Sequence, residues 1–421
     1  MFRAWRRTAS SRNTAVFGSS GKQRSYAGNI ATSYTYNSDG TLATKTDAKS
    51  QQVQYSYDIY GRLIQISRGK LVNGTFNEDV TQRTTLTYDG TNGGFSSNTA
   101  GRVSEVQYSG PHSLQFAELY SYHAAGGVTA KRLNVSGPAL GSYSPNLEAD
   151  YAYDSTGAVT GVQYPFAQWQ NGAVTTAGPQ YTYGYDAMYR LNTMNGPNSQ
   201  TLVSGVSYGP ANQMLQLNAA AFTETRSYNA NLQMTELVSG ANVHFKYNYS
   251  ATQNNGRILS QTDVVSGETI TYSYDSLSRL IQANGTGDPT GNWSQQFSYD
   301  GFGNLIQKIG AAAPSNTALS TDPTTNRLNA NGAQYDNNGN LTALGTGSFA
   351  AAYSYDIENR MTVAVPAPGG NQALYGYDSS NQRIYQGTYN ASTQTYSNEQ
   401  LYFYGIDGKK LAVYSIQNSE R

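Results

Sequence analysis

The side chains in this sequence that could do chemistry are its recurring carboxylates and its histidines. Aspartate follows tyrosine nine times, at Asp58, Asp89, Asp154, Asp186, Asp275, Asp300, Asp336, Asp356 and Asp378. Two nearby carboxylates can supply the acid and the base of glycoside hydrolysis. A catalytic group usually occurs once, however, whereas this aspartate returns along the whole chain at fixed distances from other residues. The repetition predicts a structural role for it.

The three histidines, His112, His123 and His244, raise the possibility of a metal site with Glu118 as a further ligand. Alternate residues of a strand share a face, which puts His123 opposite to His112 and Glu118. Their spacing does not suit one face of a helix either. The sequence shows neither a phosphate-binding loop nor a nucleophile elbow. It therefore predicts no catalytic, cofactor-binding or metal-binding residue, and no enzyme activity.

The recurring aspartate belongs to a motif whose spacing predicts a β-hairpin. In "YSYDIYGRLIQI", Asp58 is followed by Gly61 and Arg62. These offsets fit a type I turn that ends in a left-handed residue, a conformation that glycine adopts without steric cost. Asp58 is then expected to accept hydrogen bonds from N–H groups of the turn and to face Arg62. Tyr57 is expected to face Leu63 on the other side of the hairpin.

The same positions define a predicted structural repeat. Its residues are Tyr57, Asp58, Gly61, Arg62, Leu63, Tyr274, Asp275, Arg279, Leu280, Tyr299, Asp300, Gly303, Leu305, Tyr335, Asp336, Gly339 and Leu341. In other copies Tyr189, Ser278 and Asn359 stand at the left-handed position, where asparagine is tolerated while tyrosine and serine predict strain. The copy at Tyr377 has one extra residue before Ile384, which predicts a longer loop.

Composition supports strands and turns rather than helices. The 421 residues include 43 glycines and 36 tyrosines, and only 13% are charged. Tyrosine, threonine and valine fit a pleated surface, while glycine and asparagine suit turns. The copies recur mostly every 20 to 35 residues or so, the range of repeat arrays. The predicted fold is all-β, made of repetitive antiparallel hairpins. The sequence contains no run of about 18 apolar residues, so it predicts no membrane-spanning helix.

Charge is distributed unevenly along the chain. Six of the 27 basic residues and none of the 27 acidic ones lie within residues 1–25, so the remainder has a net charge of −6. Such a body is a poor partner for nucleic acid. The opening "MFRAWRRTAS" is basic but lacks an apolar segment, so no signal peptide is predicted within this chain. Residues 1–25 are expected to be disordered, 26–414 to form the repeat array, with a possible loop insertion at 310–326, and 415–421 to form a tail.

The strings "YSYDIYGRLIQI", "YSYDSLSRLIQA", "FSYDGFGNLIQK" and "AQYDNNGNLTAL" resemble the YD repeats of the Rhs (rearrangement hotspot) family. Such repeats also occur in insecticidal toxin-complex proteins and in teneurins. The resemblance extends over roughly residues 30–414. It implies a curved, spiralling YD-repeat sheet, here a partial hollow shell, and in the family the shell often encloses a C-terminal toxin. The paired Asp-Pro-x-Gly signature of such shells is not found, and the single string at 288–291 is interpreted as a turn.

Two functions remain open at this stage. The resemblance implies a structural shell segment whose partners are proteins, either a toxin cargo or the remaining shell segments. The alternative is a surface module that binds carbohydrate or protein through exposed tyrosines. Tyrosines needed for packing in every repeat favour the first, and a patch of exposed ones favours the second. As part of a longer protein the chain is expected to be secreted or at the cell surface. Alone, with unpaired strands at its ends, it is expected to associate.

Overall fold

A computed structural model describes residues 17–18, 21–26, 30–140, 145–166, 168–170, 173–310 and 317–416. Within these ranges the regular elements are β-strands and a few three-residue 3-10 helices. Neighbouring strands pair antiparallel. The all-β fold of antiparallel hairpins that the sequence predicts is confirmed. Over the same ranges, no helix has the length and apolar character needed to cross a membrane.

The hairpins form because alternating side chains and a fixed turn agree on one register. Tyr57 lies opposite Leu63 and Tyr55 opposite Ile66 in the first well-conserved copy of the motif. The register shifts by one residue between Ser56 and Tyr57, directly before the turn. A bulge directly before the turn accompanies a turn residue in the left-handed conformation. The turn and the pairing of the strands therefore specify each other.

The chain divides into two compact units, a first unit of residues 1–179 and 330–421 and a second unit of residues 180–329. The opening stretch of the first unit forms consecutive antiparallel strands. They are Phe17–Gly18, Gly21–Tyr26, Ile30–Tyr36, Leu42–Thr46, Gln51–Tyr57, Leu63–Val72, Thr75–Glu78, Thr84–Tyr88, Val103–Ser109, Gln115–Tyr122, Val128–Ser136, Asn146–Tyr153, Val159–Gln163, Gln168–Gln170 and Ala173–Thr176. The 3-10 helices of this stretch are Val80–Gln82, Asn92–Gly94, Pro111–Ser113 and Pro138–Leu140.

The closing stretch of the first unit is a sheet in which each strand pairs with the next. Its strands are Gln334–Tyr335, Leu341–Leu344, Ala351–Tyr355, Met361–Val365, Gln372–Tyr377, Arg383–Asn390, Thr395–Tyr404 and Lys410–Ile416, with a 3-10 helix at Gly347–Phe349. Buried side chains of both stretches build the hydrophobic core of the first unit. They include Leu114, Phe116, Leu133, Val135, Leu147, Tyr385, Leu401 and Phe403.

The second unit is a run of hairpins in the same style. Its strands are Gln180–Tyr185, Leu191–Asn195, Thr201–Tyr208, Met214–Ala219, Thr223–Tyr228, Met234–Ser239, Val243–Tyr249, Ile258–Asp263, Thr269–Tyr274, Leu280–Thr286, Trp293–Tyr299, Leu305–Gly310, Thr317–Ala318, Thr321–Asp322 and Arg327–Leu328, and Pro197–Ser199 is a 3-10 helix. Among its described hydrophobic side chains, Ala283 alone is fully buried. This unit therefore depends on hydrogen bonding and on contacts between neighbouring hairpins, since it has hardly any core of its own.

The predicted domain boundaries can be compared with the structure at three places. Within residues 1–25, where the sequence predicts disorder, the structure describes the strands at 17–18 and 21–26, because Lys22 and its neighbours pair with Tyr34 and its neighbours. The rest of that stretch lies outside the described residues, as do 311–316 and 417–421. Within the expected loop insertion, Thr317–Ala318 and Thr321–Asp322 form short strands, and the boundary between the units follows at 329/330.

Candidate functional site

The feature that recurs throughout the chain is the turn that follows tyrosine. In the copy at Asp58, the Asp58 N–H donates to the Arg62 carbonyl at 3.0 Å, and the Gly61 N–H donates to the Asp58 carbonyl at 3.0 Å. The Asp58 Oδ1 accepts from the N–H groups of Tyr60 and Arg62, both at 2.9 Å. Gly61 has a φ of +73°. The carboxylate therefore accepts hydrogen bonds from backbone N–H groups of the turn that have no partner in the strand ladder.

The second carboxylate oxygen of the turn binds the side chain four residues later. Arg62 Nε donates to Asp58 Oδ2 at 2.7 Å, and Asn304 Nδ2 donates to Asp300 Oδ2 at 2.8 Å. The same bond joins Asp186 to Arg190, Asp275 to Arg279, Asp336 to Asn340 and Asp356 to Arg360. Arginine and asparagine both occur at this position because each presents an N–H donor to the same oxygen.

The tyrosine hydroxyl before each turn reaches back to the previous hairpin. Tyr57 donates to the Leu42 carbonyl at 2.9 Å, and Tyr274 donates to the Ile258 carbonyl at 2.9 Å. The acceptor is the first residue of the strand after the preceding turn. The same bond, here called the tyrosine latch, occurs from Tyr122 to Val103, Tyr153 to Val128, Tyr208 to Leu191, Tyr249 to Met234, Tyr299 to Leu280, Tyr355 to Leu341, Tyr377 to Met361 and Tyr404 to Arg383.

The arginine of the turn reaches forward to the next hairpin. The Arg279 guanidinium lies 4.8 Å from the centre of the Tyr299 ring and donates to the Asp300 carbonyl at 3.2 Å. Arg360 lies over Tyr377 in the same way and donates to the Asp378 carbonyl at 3.0 Å. A cation over an aromatic ring adds a favourable interaction to the hydrogen bond. In these copies a hairpin is thus tied to its neighbours by a tyrosine on one side and an arginine on the other.

The environment of each turn carboxylate shifts its pKa. The Arg190 backbone N–H and guanidinium lower the pKa of Asp186, and the side chains of Thr321 and Asn304 lower the pKa of Asp300 to about 2. Asp378 differs, because burial raises the pKa of its carboxyl to about 6. Its turn carries Gln382 where several other copies carry arginine, so no guanidinium of the turn binds this carboxylate. Nearby Glu118 raises the pKa of Asp378 further, and Lys131 lowers it.

The structure places the predicted repeat residues as follows. The pairs that face each other across a turn are Tyr57 and Leu63, Tyr274 and Leu280, Tyr299 and Leu305, and Tyr335 and Leu341. The glycines at the left-handed position are Gly61, Gly303 and Gly339. The latch partners were not foreseen from the sequence. A signal for them is the residue six positions after each latch tyrosine, apolar in most copies, because the carbonyl of such a residue accepts from the next tyrosine.

Two expectations about irregular copies have different outcomes. Tyr189, Ser278 and Asn359 have φ values of +57°, +67° and +65°, so each adopts the left-handed conformation that glycine has elsewhere. The longer loop expected after Tyr377 is wrong. The Asp378 N–H bonds the Gln382 carbonyl and Tyr377 lies opposite Arg383, so this loop has the usual length. The extra residue is accommodated because Arg383, not Ile384, occupies the first position of the strand.

The histidines and the acidic side chain of the metal-site hypothesis lie in separate settings. His112 Nδ1 is 2.9 Å from Glu399 Oε1, whereas Glu118 accepts from the hydroxyl groups of Tyr108 and Tyr120. His244 pairs with Glu236 at 2.8 Å. In the part of the chain that the structure describes, no group of three histidine or acidic side chains could hold a metal ion. The arrangement favours architecture over chemistry at the recurring aspartates.

Comparisons with known proteins agree with this geometry. The family model described as RHS Repeat matches residues 36–70 and 254–292. No curated protein matches the chain in sequence. Each matched range contains a latch tyrosine together with the residue whose carbonyl accepts its hydrogen bond.

Among solved structures, the chain is similar to a TcdB2-TccC3 crystal structure, with a TM-score of 0.71 and 15% identity over 90% of this chain and 21% of that one. A Photorhabdus luminescens Tc holotoxin pore gives a TM-score of 0.70 and 15% identity over 92% of this chain and 21% of the other. TcdB2-TccC3 without its hypervariable C-terminal region gives 0.61 and 13% over 94% of this chain and 23% of that chain. The chain therefore spans about a fifth of the length of these proteins. The chain thus contains RHS repeats at two separate places and shares its fold with these structures.

Proposed function

We propose that this chain is a non-enzymatic structural segment of an Rhs/YD-repeat shell that encloses or presents a toxin polypeptide. The observation that supports this most directly is the tyrosine latch, which recurs from hairpin to hairpin and uses the most frequent motif residues for packing. The fold shared with TcdB2-TccC3 supports the same proposal. The predicted repeat residues are then stabilising elements of the shell and not a reaction centre.

The partners in this proposal are polypeptides. The second unit has a face on which tyrosines recur, with Tyr272 and Tyr274 half-buried, while the intervening Ser273 is exposed on the opposite face. Tyrosine offers broad apolar contact together with a hydroxyl, a combination that suits the binding of varied polypeptide chains. We propose the tyrosine face as the side that contacts cargo, and secretion or cell-surface display for the longer protein to which such a segment would belong.

The alternative, carbohydrate binding by exposed tyrosines, has weaker support. Tyr36, Tyr60 and Tyr189 are the exposed tyrosines among the described residues, at 46%, 75% and 59%. Two of them lie at turn tips and the third precedes a turn, in different repeats, whereas sugar binding by stacking needs rings gathered on one surface. Ten tyrosines of the described chain instead make the latch between neighbouring hairpins.

The proposal can be tested with a photo-reactive amino acid placed at adjacent positions of one strand. Replacing Tyr272 puts the probe on the tyrosine face, and replacing Ser273 puts it on the other face, so each variant is the control of the other. The ligand used is reduced, carboxymethylated α-lactalbumin, a permanently unfolded polypeptide. We expect cross-links from position 272 at least several-fold above those from 273. A glycan array on the unmodified chain tests the alternative.

Equal cross-linking from both faces, or none from either, would overturn the assignment of the tyrosine face to cargo. Specific glycan binding that is lost in Tyr60→Ala and Tyr189→Ala variants would favour the carbohydrate-binding module. Circular dichroism of each variant shows whether the sheet is intact, so that a folding defect is not taken for a loss of binding.

A further inference from the structure

The first unit shows how two stretches of this repeat contact each other along their edges. We call the strand ends with the turns after tyrosine the turn edge, and the opposite strand ends the return edge. In the turn that begins at Asp336, Asn338 Nδ2 donates to Asp47 Oδ2 at 2.5 Å, and Lys49 Nζ lies 2.8 Å from Asp336 Oδ2. Asp47 and Lys49 belong to a return turn of the opening stretch. The turn edge of the closing stretch therefore lies on the return edge of the opening stretch.

The next turn of the closing stretch repeats this contact. The Ile357 N–H donates to Gln82 Oε1 at 3.1 Å, and Arg68 Nε donates to Glu358 Oε2 at 2.8 Å. The side chain of Ile357 is only 6% exposed. Ile59 occupies the same position of its own turn and is 92% exposed. The tip of a turn is thus buried where a return edge covers it and open to solvent where none does.

The turn edge of the second unit consists of turns that bond to neighbouring turns and expose their tips. Its turns are linked side by side, since Arg190 bonds Asn212 at 3.2 Å and Arg279 bonds the Asp300 carbonyl at 3.2 Å. Large apolar side chains nevertheless point outward from three of these tips. They are Met188 at 66% exposed, Leu277 at 71% and Phe302 at 57%. All three stand two positions after the turn aspartate, the position from which Asn338 and Glu358 contact the opening stretch in the first unit.

The return edge of the second unit offers a matching surface. Phe222 is 42% exposed, and Val264 and Val265 are 41% and 54% exposed. These residues lie in the turns at the strand ends opposite to the tyrosine turns. Apolar side chains that recur along an uncovered edge are typical of interaction surfaces.

We propose that the turn edge of residues 180–329 is an interaction surface for the return edge of a further YD-repeat sheet, and that in a solution of this chain alone the occupant is a second copy. The contact has the polarity seen within the first unit, turn edge on return edge. Burial of Met188, Leu277 and Phe302 adds apolar contact to this interface, as burial of Ile357 does in the first unit. The inference rests on the part of the proposed function that makes this chain a shell segment, and it does not depend on any cargo.

The polarity can be tested by complementation between two variants of the full chain. The turn-edge variant is Met188→Asp, Leu277→Asp and Phe302→Asp, and the return-edge variant is Phe222→Asp, Val264→Asp and Val265→Asp. A matched control with the same charge change is Leu215→Asp, Leu259→Asp and Ile281→Asp, at the second residue of three strands and not at a turn tip. Analytical ultracentrifugation over a concentration series gives the association state, and circular dichroism gives the fold.

We expect the parent chain and the control to associate and each edge variant to be at least tenfold weaker in association. An equimolar mixture of the two edge variants should form a heterodimer, because each retains the edge that the other lacks. A monomeric parent chain, or a turn-edge variant that associates like the parent, would overturn the proposal. Loss in the turn-edge variant alone, with no complex in the mixture, would mean that turn edges pair with each other and would also overturn it. Cross-linking to the unfolded polypeptide in the earlier experiment is a separate readout, so the cargo proposal and this one can fail independently.

Discussion

At the scale of the residue, the left-handed turn position controls the register of each hairpin. Gly61 has a φ of +73°, and a Cβ added there would meet no atom within 4 Å. Replacement by valine therefore costs backbone strain and causes no clash. We expect Gly61→Val to lower the free energy of unfolding by about 1–3 kcal/mol. Urea denaturation followed by circular dichroism measures this.

The controls for Gly61→Val come from the chain itself. Gly61→Asn should cost less, because Asn359 and Asn381 hold the same position with φ values of +65°. Ser56→Ala, in the exposed strand position of the same hairpin, should have little effect. If Gly61→Val were no less stable than Ser56→Ala, the turn would not be the element that specifies the register.

A second prediction at the scale of the residue concerns the hydrogen bond of the tyrosine latch. Tyr274 donates to the Ile258 carbonyl at 2.9 Å, whereas the hydroxyl of Tyr272, on the same face of the same strand, has no such bond within the described residues. Tyr274→Phe should lower the free energy of unfolding by about 0.5–1.5 kcal/mol, because the carbonyl loses its donor. Tyr272→Phe is the matched control and should change stability less. Equal effects of the two substitutions would show that the hydroxyl bond is unimportant.

At the scale of the element, the turn carboxylates should respond to pH in opposite ways. The backbone N–H and guanidinium of Arg279 lower the pKa of Asp275, so its stabilising contribution is present at neutral pH and is lost as the pH falls below about 4. Burial raises the pKa of Asp378 to about 6, so its contribution is greatest at low pH and is lost as the pH rises through 6.

Asparagine substitutions separate these two behaviours. At pH 7 Asp275→Asn should be less stable than the parent chain, and the difference should shrink below pH 4 or so, where Asp275 is protonated. The stability of the parent relative to Asp378→Asn should instead increase as the pH falls from about 8 to 5. Thermal unfolding across this pH range provides the comparison. A parallel pH response of the two variants would contradict the different settings of Asp275 and Asp378.

Sequence reasoning works well for the hairpin because the interactions that specify it are local. Asp58, Gly61 and Arg62 lie within five residues, and the chemistry of the turn follows from their order. The acceptor of each tyrosine latch lies on the preceding hairpin, so it can be identified only once the order of hairpins in the sheet is known. The loop after Tyr377 shows the same limit, because the position of Arg383 in the strand depends on the pairing with Gln372–Tyr377 and not on the apolar pattern.

At the scale of the whole molecule, the contacts that sequence reasoning misses are the most distant ones. The Ile406 N–H donates to the Tyr151 hydroxyl at 3.1 Å, across 255 residues of sequence. Tyr385 and His112 both contact the buried Glu399, which joins the opening and closing stretches of the first unit. These contacts follow from the stacking of one edge on another. No repeat spacing encodes which turn meets which.

The uneven distribution of buried side chains predicts uneven local stability. In the first unit Leu114, Val135 and Leu147 are at most 1% exposed, whereas Ala283, at 5%, is the fully buried hydrophobic residue among those described in the second unit. Both units have strands paired on each side, so the hydrogen bonds of the sheet alone would give similar protection. Apolar burial should then make the difference, since opening of a strand without a core costs little hydrophobic free energy.

We therefore expect backbone amides of Thr269–Tyr274 to exchange with deuterium at least tenfold faster than those of Gln115–Tyr122, measured by mass spectrometry of peptic peptides from the full chain. The two strands are a fair comparison because each is hydrogen-bonded to a neighbour on both sides. Low protein concentration is needed, since association through the turn edge would cover part of the second unit and slow its exchange. Equal protection at low concentration would mean that the latches and the ladder of hydrogen bonds stabilise the second unit as well as a core does.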